Sequence, residues 1–272
     1  MGSDTFDICI VGGLGHVGLP LGIVFASKGL KVCLNDINEE VAKTVQSGEL
    51  PYVEYGAKPL LKKALANGNL TVSLNPECTS DAKYVIIAIG TPVDEYLNPK
   101  TRQFLEFVED IKQYLDPSQI IIVRSSVFPR TCKQIMNVLG DEQEWHLAYC
   151  PERIVQGYAV QELEKLPQIV AGFSEHAIEE ASHLFEKISN KIIRTTMGEA
   201  ELVKLFSNSW RYMQFAIANQ FYMIANDFGE DYDHVREIMI DGYDRAKGLP
   251  SAGFTAGPCL LKDTMQLLAS TN

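Results

Sequence analysis

Ile8-Cys9-Ile10-Val11 runs directly into Gly12-Gly13-Leu14-Gly15-His16-Val17-Gly18, and the apolar stretch Leu19 to Phe25 follows. The spacing is Gly13-x-Gly15-x-x-Gly18. A short β-branched run feeding glycines and then an apolar helix has a mechanical reading: the first glycine permits a tight turn, the second lets backbone approach a pyrophosphate, and the third lets helix and strand pack closely. The free N–H groups and positive end of the helix then face the phosphates. A lone pattern of this kind is weak, but here it follows a strand, opens a helix and is answered by Asp36 at the end of a second strand. Asp36 is placed to accept hydrogen bonds from the adenine-ribose hydroxyls. A 2′-phosphate would meet that carboxylate with Ile37 and Asn38 beside it rather than an arginine, so NAD is favoured over NADP. The bland alternative is that the glycines serve only a turn and Asp36 only caps a helix.

Working outward, further apolar runs at Lys31 to Asn35, Tyr84 to Ile89, Ile120 to Val123 and Trp145 to Tyr149 read as strands. Helical patterns lie between them at 16–28, 39–47, 57–67, 102–115 and 130–139. Strands that are apolar throughout suit a parallel sheet covered on both faces, so the fold class is a doubly wound, Rossmann-type α/β sheet. After Ile169-Val170-Ala171, a helix near 174–188 and a strand at Lys191 to Thr195, the texture changes. A long helical stretch runs from Glu199 to Phe228, with a second helix at 231–240. The expected division is 1–197 for the cofactor domain and 198–272 for a central helical domain, with Met197-Gly198 as the joint.

Composition bounds the rest. With 272 residues, 46% hydrophobic and 22% charged, the chain has material for a large core and no bias toward disorder. A net charge of -11 and no clustered Lys/Arg argue against nucleic acid as a partner. No apolar run approaches the roughly 18 residues of a membrane span. Cys9, Cys33, Cys78, Cys132, Cys150 and Cys259 are scattered without a C-x-x-C pair, which fits a reducing cytoplasm and gives no metal-ligand spacing.

Several residues have types and places suited to chemistry. Lys204 and Asn208 are four apart on the long helix, where a cation and an amide donor together suit a developing oxyanion. A lysine on a helix is, taken alone, more often solvated. Gly257-Pro258-Cys259-Leu260-Leu261-Lys262-Asp263 reads as a loop entering a helix, with Cys259 at an N-terminus that favours a thiolate and Asp263 one turn on. For any single cysteine, a small core residue is the commoner role, and Cys9 and Cys33 are read that way in their strands. Arg124-Ser125-Ser126 and Tyr149-Cys150-Pro151-Glu152-Arg153 each follow a strand, at the sheet edge where open α/β proteins bind ligands, so Ser126 and Glu152 are positioned to face a substrate. An ion pair between Glu152 and Arg153 explains that carboxylate equally well.

Taken together, Gly13-Leu14-Gly15-His16-Val17-Gly18-Leu19-Pro20, Thr91-Pro92, Ser125-Ser126-Val127, Pro151-Glu152-Arg153, Glu201 to Asn208 and Gly257 to Asp263 resemble the UDP-glucose/GDP-mannose dehydrogenase family of nucleotide-sugar 6-dehydrogenases. The resemblance implies oxidation of a sugar C6 alcohol, in a UDP-hexose or UDP-N-acetylhexosamine, to the uronic acid with two NAD+. Cys259 would form a thiohemiacetal and then a thioester. Lys204 and Asn208 would stabilise the oxyanion, Asp263 would assist proton transfer, and Glu152 would support thioester hydrolysis with Ser126 nearby. It further implies NAD contacts from Gly13, Leu14, Gly15, His16, Val17, Gly18, Asp36, Thr91, Pro92, Ser125, Ser126 and Gln156. Substrate contacts would come from Glu152, Arg153, Ile154, Lys204, Asn208 and Gly257. A homodimer through the helix 199–228 is expected, because its large apolar residues exceed what one domain face needs.

Ser126 stands where relatives often have Thr, and Ala256-Gly257 stands where many have Gly-Gly. Family members continue past the cysteine helix into a second α/β domain that binds the nucleotide, whereas this sequence ends nine residues after Asp263. NAD binding and self-association are therefore expected of it, with little or no turnover. Two rival readings are a single-hydride β-hydroxyacid dehydrogenase, which leaves the Cys259 to Asp263 run unexplained, and a non-catalytic NAD-binding dimeric module.

Overall fold

The computed structural model describes residues 5–96, 98–255 and 259–270. Among them, Phe6–Val11 (β1), Val32–Asn35 (β2), Leu70–Ser73 (β3), Ala82–Ile87 (β4), Ile120–Val123 (β5), His146–Tyr149 (β6), Gln168–Gly172 (β7) and Ile192–Arg194 (β8) form one sheet in the order β3-β2-β1-β4-β5-β6-β7-β8. The helices are Gly18–Ser27 (α1), Glu39–Gln46 (α2), Ala57–Ala66 (α3), Thr101–Lys112 (α4), Thr131–Leu139 (α5), Ala159–Lys165 (α6), Glu175–Phe185 (α7), Met197–Asp227 (α8), Tyr232–Ile240 (α9) and Cys259–Ala269 (α10). The sheet is the doubly wound one that the apolar strands predict. All its neighbours pair in parallel except β6 with β7, which run antiparallel.

The strand order reverses at β1, which lies between β2 and β4. That is the crevice where open α/β sheets take their ligands. The first helix explains why the glycine turn is so well anchored: α1 is apolar on every side, and its residues from Gly18 to Ala26 are all buried. At Gly22 an added Cβ would lie 2.5 Å from Leu34 Cδ2, so the Leu34 side chain of β2 packs directly on the backbone of α1. Asn38 caps α2 by accepting from the Val41 N–H at 3.0 Å. Thr196 and Glu199 make a capping box at the start of α8, with the Thr196 N–H donating to Glu199 Oε2 at 3.0 Å and the Glu199 N–H to Thr196 Oγ1 at 3.3 Å.

Two elements are absent from the sequence reading. The strand β3 sits at the sheet edge with only Leu70 buried, so it shows neither alternation nor an unbroken apolar run. The helix α6 is seven residues long, too short for a periodic pattern to register.

The chain divides into two compact units, 1–92 with 99–202 and 93–98 with 203–272. The first holds the whole sheet. The second holds most of α8, together with α9 and α10. Met197-Gly198, read as a joint, is the first turn of α8.

Candidate active site

The glycine loop of the first unit discriminates among its three positions. A Cβ at Gly13 would sit 2.7 Å from Ile10 O, and one at Gly18 would sit 2.4 Å from Gly12 O, so both are closed by backbone. At Gly15 the nearest atom would be Gly12 O at 3.4 Å, and the residue is exposed. The loop is thus packed shut beneath and open above Gly15, the side on which a pyrophosphate approaches. Tyr52 braces it: its hydroxyl donates to Gly15 O at 2.9 Å, and its ring lies 4.0 Å from that of His16. Sequence reasoning missed Tyr52, which has no periodic or motif signal. Leu14 is buried and Val17 half-buried, so within the fingerprint they hold the loop to the core.

Asp36 closes the second strand. Its Oδ2 accepts from the Leu14 N–H at 3.0 Å, and its Oδ1 accepts from Ile37 and Asn38 N–H at 2.8 and 3.2 Å. A carboxylate has about four acceptor sites, so this half-buried group retains capacity for ribose hydroxyls while the loop fixes its position. An open glycine position at a helix start and an anchored acid at the next strand end fit a dinucleotide.

Ser125 hydrogen-bonds Ile89 O at 2.6 Å and tethers the loop after β5 to the one after β4. Ser126 beside it is half-buried, as are Thr91 and Pro92. Glu152 is only 5% exposed, and its partner is Arg124 rather than the adjacent Arg153. Arg124 is fully enclosed. It donates to Glu152 Oε2, to Cys150 O at 3.0 Å and to Gln168 Oε1 at 2.9 Å, and stacks 4.6 Å over the Phe185 ring. Glu152 Oε1 accepts from the Arg153 and Ile154 N–H groups at 2.7 and 3.1 Å, so this carboxylate shapes the turn after β6.

Arg153 reaches Pro167 O at 2.6 Å, and burial lowers its pKa. Ile154 packs on the main core, and Gln156 is exposed in the turn that follows. Glu201, buried in the first turns of α8, accepts from the Arg130 N–H at 2.7 Å and the Cys132 N–H at 3.1 Å. It therefore satisfies the free donors at the start of α5, a role with no sequence signal.

In the second unit, Asn208 Nδ2 donates to Asp263 Oδ2 at 2.6 Å, and both groups are buried. Lys262 Nζ lies 2.7 Å from Asp263 Oδ1. An oriented carboxylate with a cation and an amide on its two oxygens is thus built from α8 and α10, between residues that sequence reading names separately. Lys204 lies one turn before Asn208 on α8 and is half-buried. Cys259 is the exposed first residue of α10, one turn before Asp263. Gly257 lies outside the described residues.

Comparison with known proteins matches residues 6–189 to the UDP-glucose/GDP-mannose dehydrogenase family, NAD binding domain, and residues 198–272 to the same family's central domain. A UDP-N-acetyl-D-mannosamine dehydrogenase of Methanocaldococcus jannaschii is 33% identical over 226 residues, covering 82% of this chain and 52% of that protein. The solved UDP-D-ManNAc dehydrogenase of Pyrococcus horikoshii superposes with a TM-score of 0.88 at 28% identity, over 97% of this chain and 64% of that one. A UDP-glucose dehydrogenase of Pyrobaculum islandicum shares the fold, with a TM-score of 0.86 at 23% identity and coverage of 99% and 64%. The chain thus spans between half and two thirds of these relatives' lengths. With a glycine loop and an anchored aspartate at the next strand end in one unit, a buried Asn208–Asp263 pair in the other and both family domains matched in order, the chain belongs to the UDP-glucose/GDP-mannose dehydrogenase family.

Proposed function

We propose that this chain carries the NAD-binding half, residues 1–197, and the cysteine half, residues 198–272, of a nucleotide-sugar 6-dehydrogenase. In this reading it oxidises the C6 alcohol of a UDP-N-acetylhexosamine to the uronic acid. The Asn208–Asp263 hydrogen bond at 2.6 Å is the observation that carries this reading. It sets a buried carboxylate one turn from an exposed cysteine, an arrangement that a single-hydride β-hydroxyacid dehydrogenase leaves without a purpose. The names of the relatives favour the N-acetylhexosamine over an unsubstituted hexose.

NAD, held by Gly13 to Gly18, Asp36 and the Thr91-Pro92, Ser125-Ser126 and Gln156 turns, supplies the two-electron acceptor. The protein residues do the rest. Lys204 and Asn208 donate to the C6 oxygen as negative charge develops on it. Cys259 attacks the aldehyde carbon through Sγ, giving a thiohemiacetal and, after the second oxidation, a thioester. Asp263, oriented by Asn208 and Lys262, moves the proton that leaves the substrate oxygen. Water cleaves the thioester and returns Cys259 as a thiol. Glu152, committed to Arg124, acts in this scheme as a positioning residue that holds the Arg153-Ile154 turn, and the family resemblance assigns Ser126 and Gly257 to the substrate as well.

The partner surface follows from α8. Leu202, Phe206, Trp210, Met213, Ile217, Phe221, Ile224 and Phe228 repeat at intervals of 4-4-3 and are between 37% and 81% exposed. An eleven-residue repeat keeps an apolar stripe nearly straight along a helix, and a second copy of the chain offers the same stripe in return, so we assign it to a homodimer. Sedimentation is expected to show a dimer that Trp210→Glu converts to monomer; a monomeric parent rejects the assignment. The described residues contain no helix long and apolar enough to cross a membrane. All six cysteines are free thiols, and we place the protein in the cytoplasm.

The test is NADH formation on a panel of UDP-N-acetylhexosamines, UDP-glucose and GDP-mannose. It uses this chain alone and the chain fused to a relative's C-terminal portion. The fusion is expected to turn over the UDP-N-acetylhexosamine best and to lose uronate release on Cys259→Ser. Turnover that survives Cys259→Ser would reject the mechanism.

A further inference from the structure

The six cysteines have no metal-ligand spacing in the sequence, yet the fold collects three of them. Cys9 on β1 and Cys33 on β2 are register partners across the parallel pair, and Cys78 projects from the 3-10 turn Pro76–Asp81 that follows β3. Their three Sγ atoms all lie within 4.8 Å of one another, with Cys9 and Cys78 at 3.8 Å. A metal–sulfur bond of about 2.3 Å puts the thiolates of a tetrahedral site ~3.8 Å apart, so the sulfurs need only small rotations to converge on one centre.

The surroundings are those of a site with one open side. Cys9 and Cys33 are fully enclosed, with Val11, Ala82, Val85 and Phe107 in the same cluster. Cys78 is half-buried, and the Ser73 hydroxyl stands beside it. A buried cysteine alone is an apolar filler. Three facing one another concentrate soft donor atoms that only a cation uses fully, and thiolates select ions of the zinc and copper group.

We propose that Cys9, Cys33 and Cys78 form a three-thiolate site for a thiophilic divalent cation of the zinc class, with water on the Ser73 side as its fourth ligand. Binding releases the thiol protons to solvent. It also ties together the strand that ends in the glycine loop, the strand that ends in Asp36 and the turn beside them, so the cation stabilises the floor of the cofactor site without touching the cofactor. The site is independent of the dehydrogenase reading.

The experiment uses the full reduced chain, freed of metal and titrated with Zn2+ against a chromophoric chelator, with Cd2+ as the spectroscopic probe. The parent and Cys259→Ser, which removes the exposed competing thiol, are expected to take up one equivalent. Both should show a thiolate-to-cadmium band in the ultraviolet and melt at a higher temperature with Zn2+. Cys33→Ala tests a buried ligand. Cys78→Ser tests the half-buried one, where folding is least at risk, and is expected to bind at least roughly 10–100-fold more weakly, since even an outer partner of a metal ligand is worth that much. Unchanged zinc affinity in Cys78→Ser, loss of binding in Cys259→Ser, or no uptake by the folded parent overturns the proposal. So does a Cys9–Cys78 disulfide on mild oxidation in a chain that takes up no cation when reduced.

Discussion

In the first unit α1 is enclosed on every side, and charged groups such as Arg124 and Glu152 are buried and paired. In the second, Phe206, Trp210 and Phe228, along α8 and just past its end, are 52%, 60% and 81% exposed, and the buried polar residues include Asn208, Ser209, Asp263 and Gln266. The first unit encloses its long apolar helix within its own core. The second keeps a long apolar stripe exposed and joins two of its buried polar residues, Asn208 and Asp263, with the latter one turn from the cysteine. Under the proposed function, the glycine loop and Asp36 lie within one unit, whereas the other unit exposes the stripe assigned above to a second copy. Substitutions in the first unit test its side of the contrast.

The largest effect is expected at Arg124. Arg124→Ala leaves Glu152 buried without its cation, a change that costs about 3–5 kcal/mol in comparable buried pairs. Urea unfolding of the first unit's transition measures it, and a loss under about 1 kcal/mol would mean that the pair is not the anchor described. Next comes the glycine loop, where the two open questions separate cleanly. Gly18→Ala forces a Cβ against Gly12 O and is expected to cost roughly 1–3 kcal/mol of stability. Gly15→Ala has room and should leave unfolding unchanged while weakening NAD binding, measured by calorimetry. Equal destabilisation by both would erase the distinction between a packed and an open face.

Asp36→Ala is expected to weaken NAD by roughly tenfold, in line with a hydrogen bond to a charged group of about 1.5 kcal/mol, and to narrow the preference over NADP. Unchanged NAD affinity would remove Asp36 from the site. The smallest effect belongs to a surface cluster of the first unit. Lys83, whose Nζ lies 2.6 Å from Glu180, and the Tyr84 hydroxyl at 2.7 Å hold the Glu180 carboxyl below its ordinary range. A carboxyl depressed in the folded state contributes stability above its unfolded pKa of about 4.3 and loses it as pH falls through the folded value. Glu180→Gln should therefore cost under about 1 kcal/mol at neutral pH, with the gap closing on acidification in paired thermal melts. A gap that widens as pH falls would reverse the sign of this account.

What the sequence disclosed, and what it withheld, follows from how local each feature is. The strand–glycine–helix unit was legible because its steric demands act within a dozen residues, and the apolar strands identified a parallel sheet without any pairing information. Asn208 and Asp263 were each nameable from helical spacing, but their hydrogen bond joins residues from two helices and no local rule places them together. The same limit hid Arg124 as the partner of Glu152, Glu201 as the cap of α5, and the meeting of Cys9, Cys33 and Cys78, all products of topology. The edge strand β3 was missed for the opposite reason, since a four-residue strand with one buried side chain leaves almost no pattern.

The proposed function differs from a single hydride transfer in routing a four-electron oxidation through Cys259. Its most direct test is the ratio of NADH formed to UDP-N-acetylhexosamine consumed by the fused chain. Alcohol to carboxylate removes four electrons, consuming one water and two NAD+ and releasing two NADH and three protons. A ratio of two, with uronic acid as the product, is the result predicted; a ratio of one, with an aldehyde or ketone released, would contradict the account.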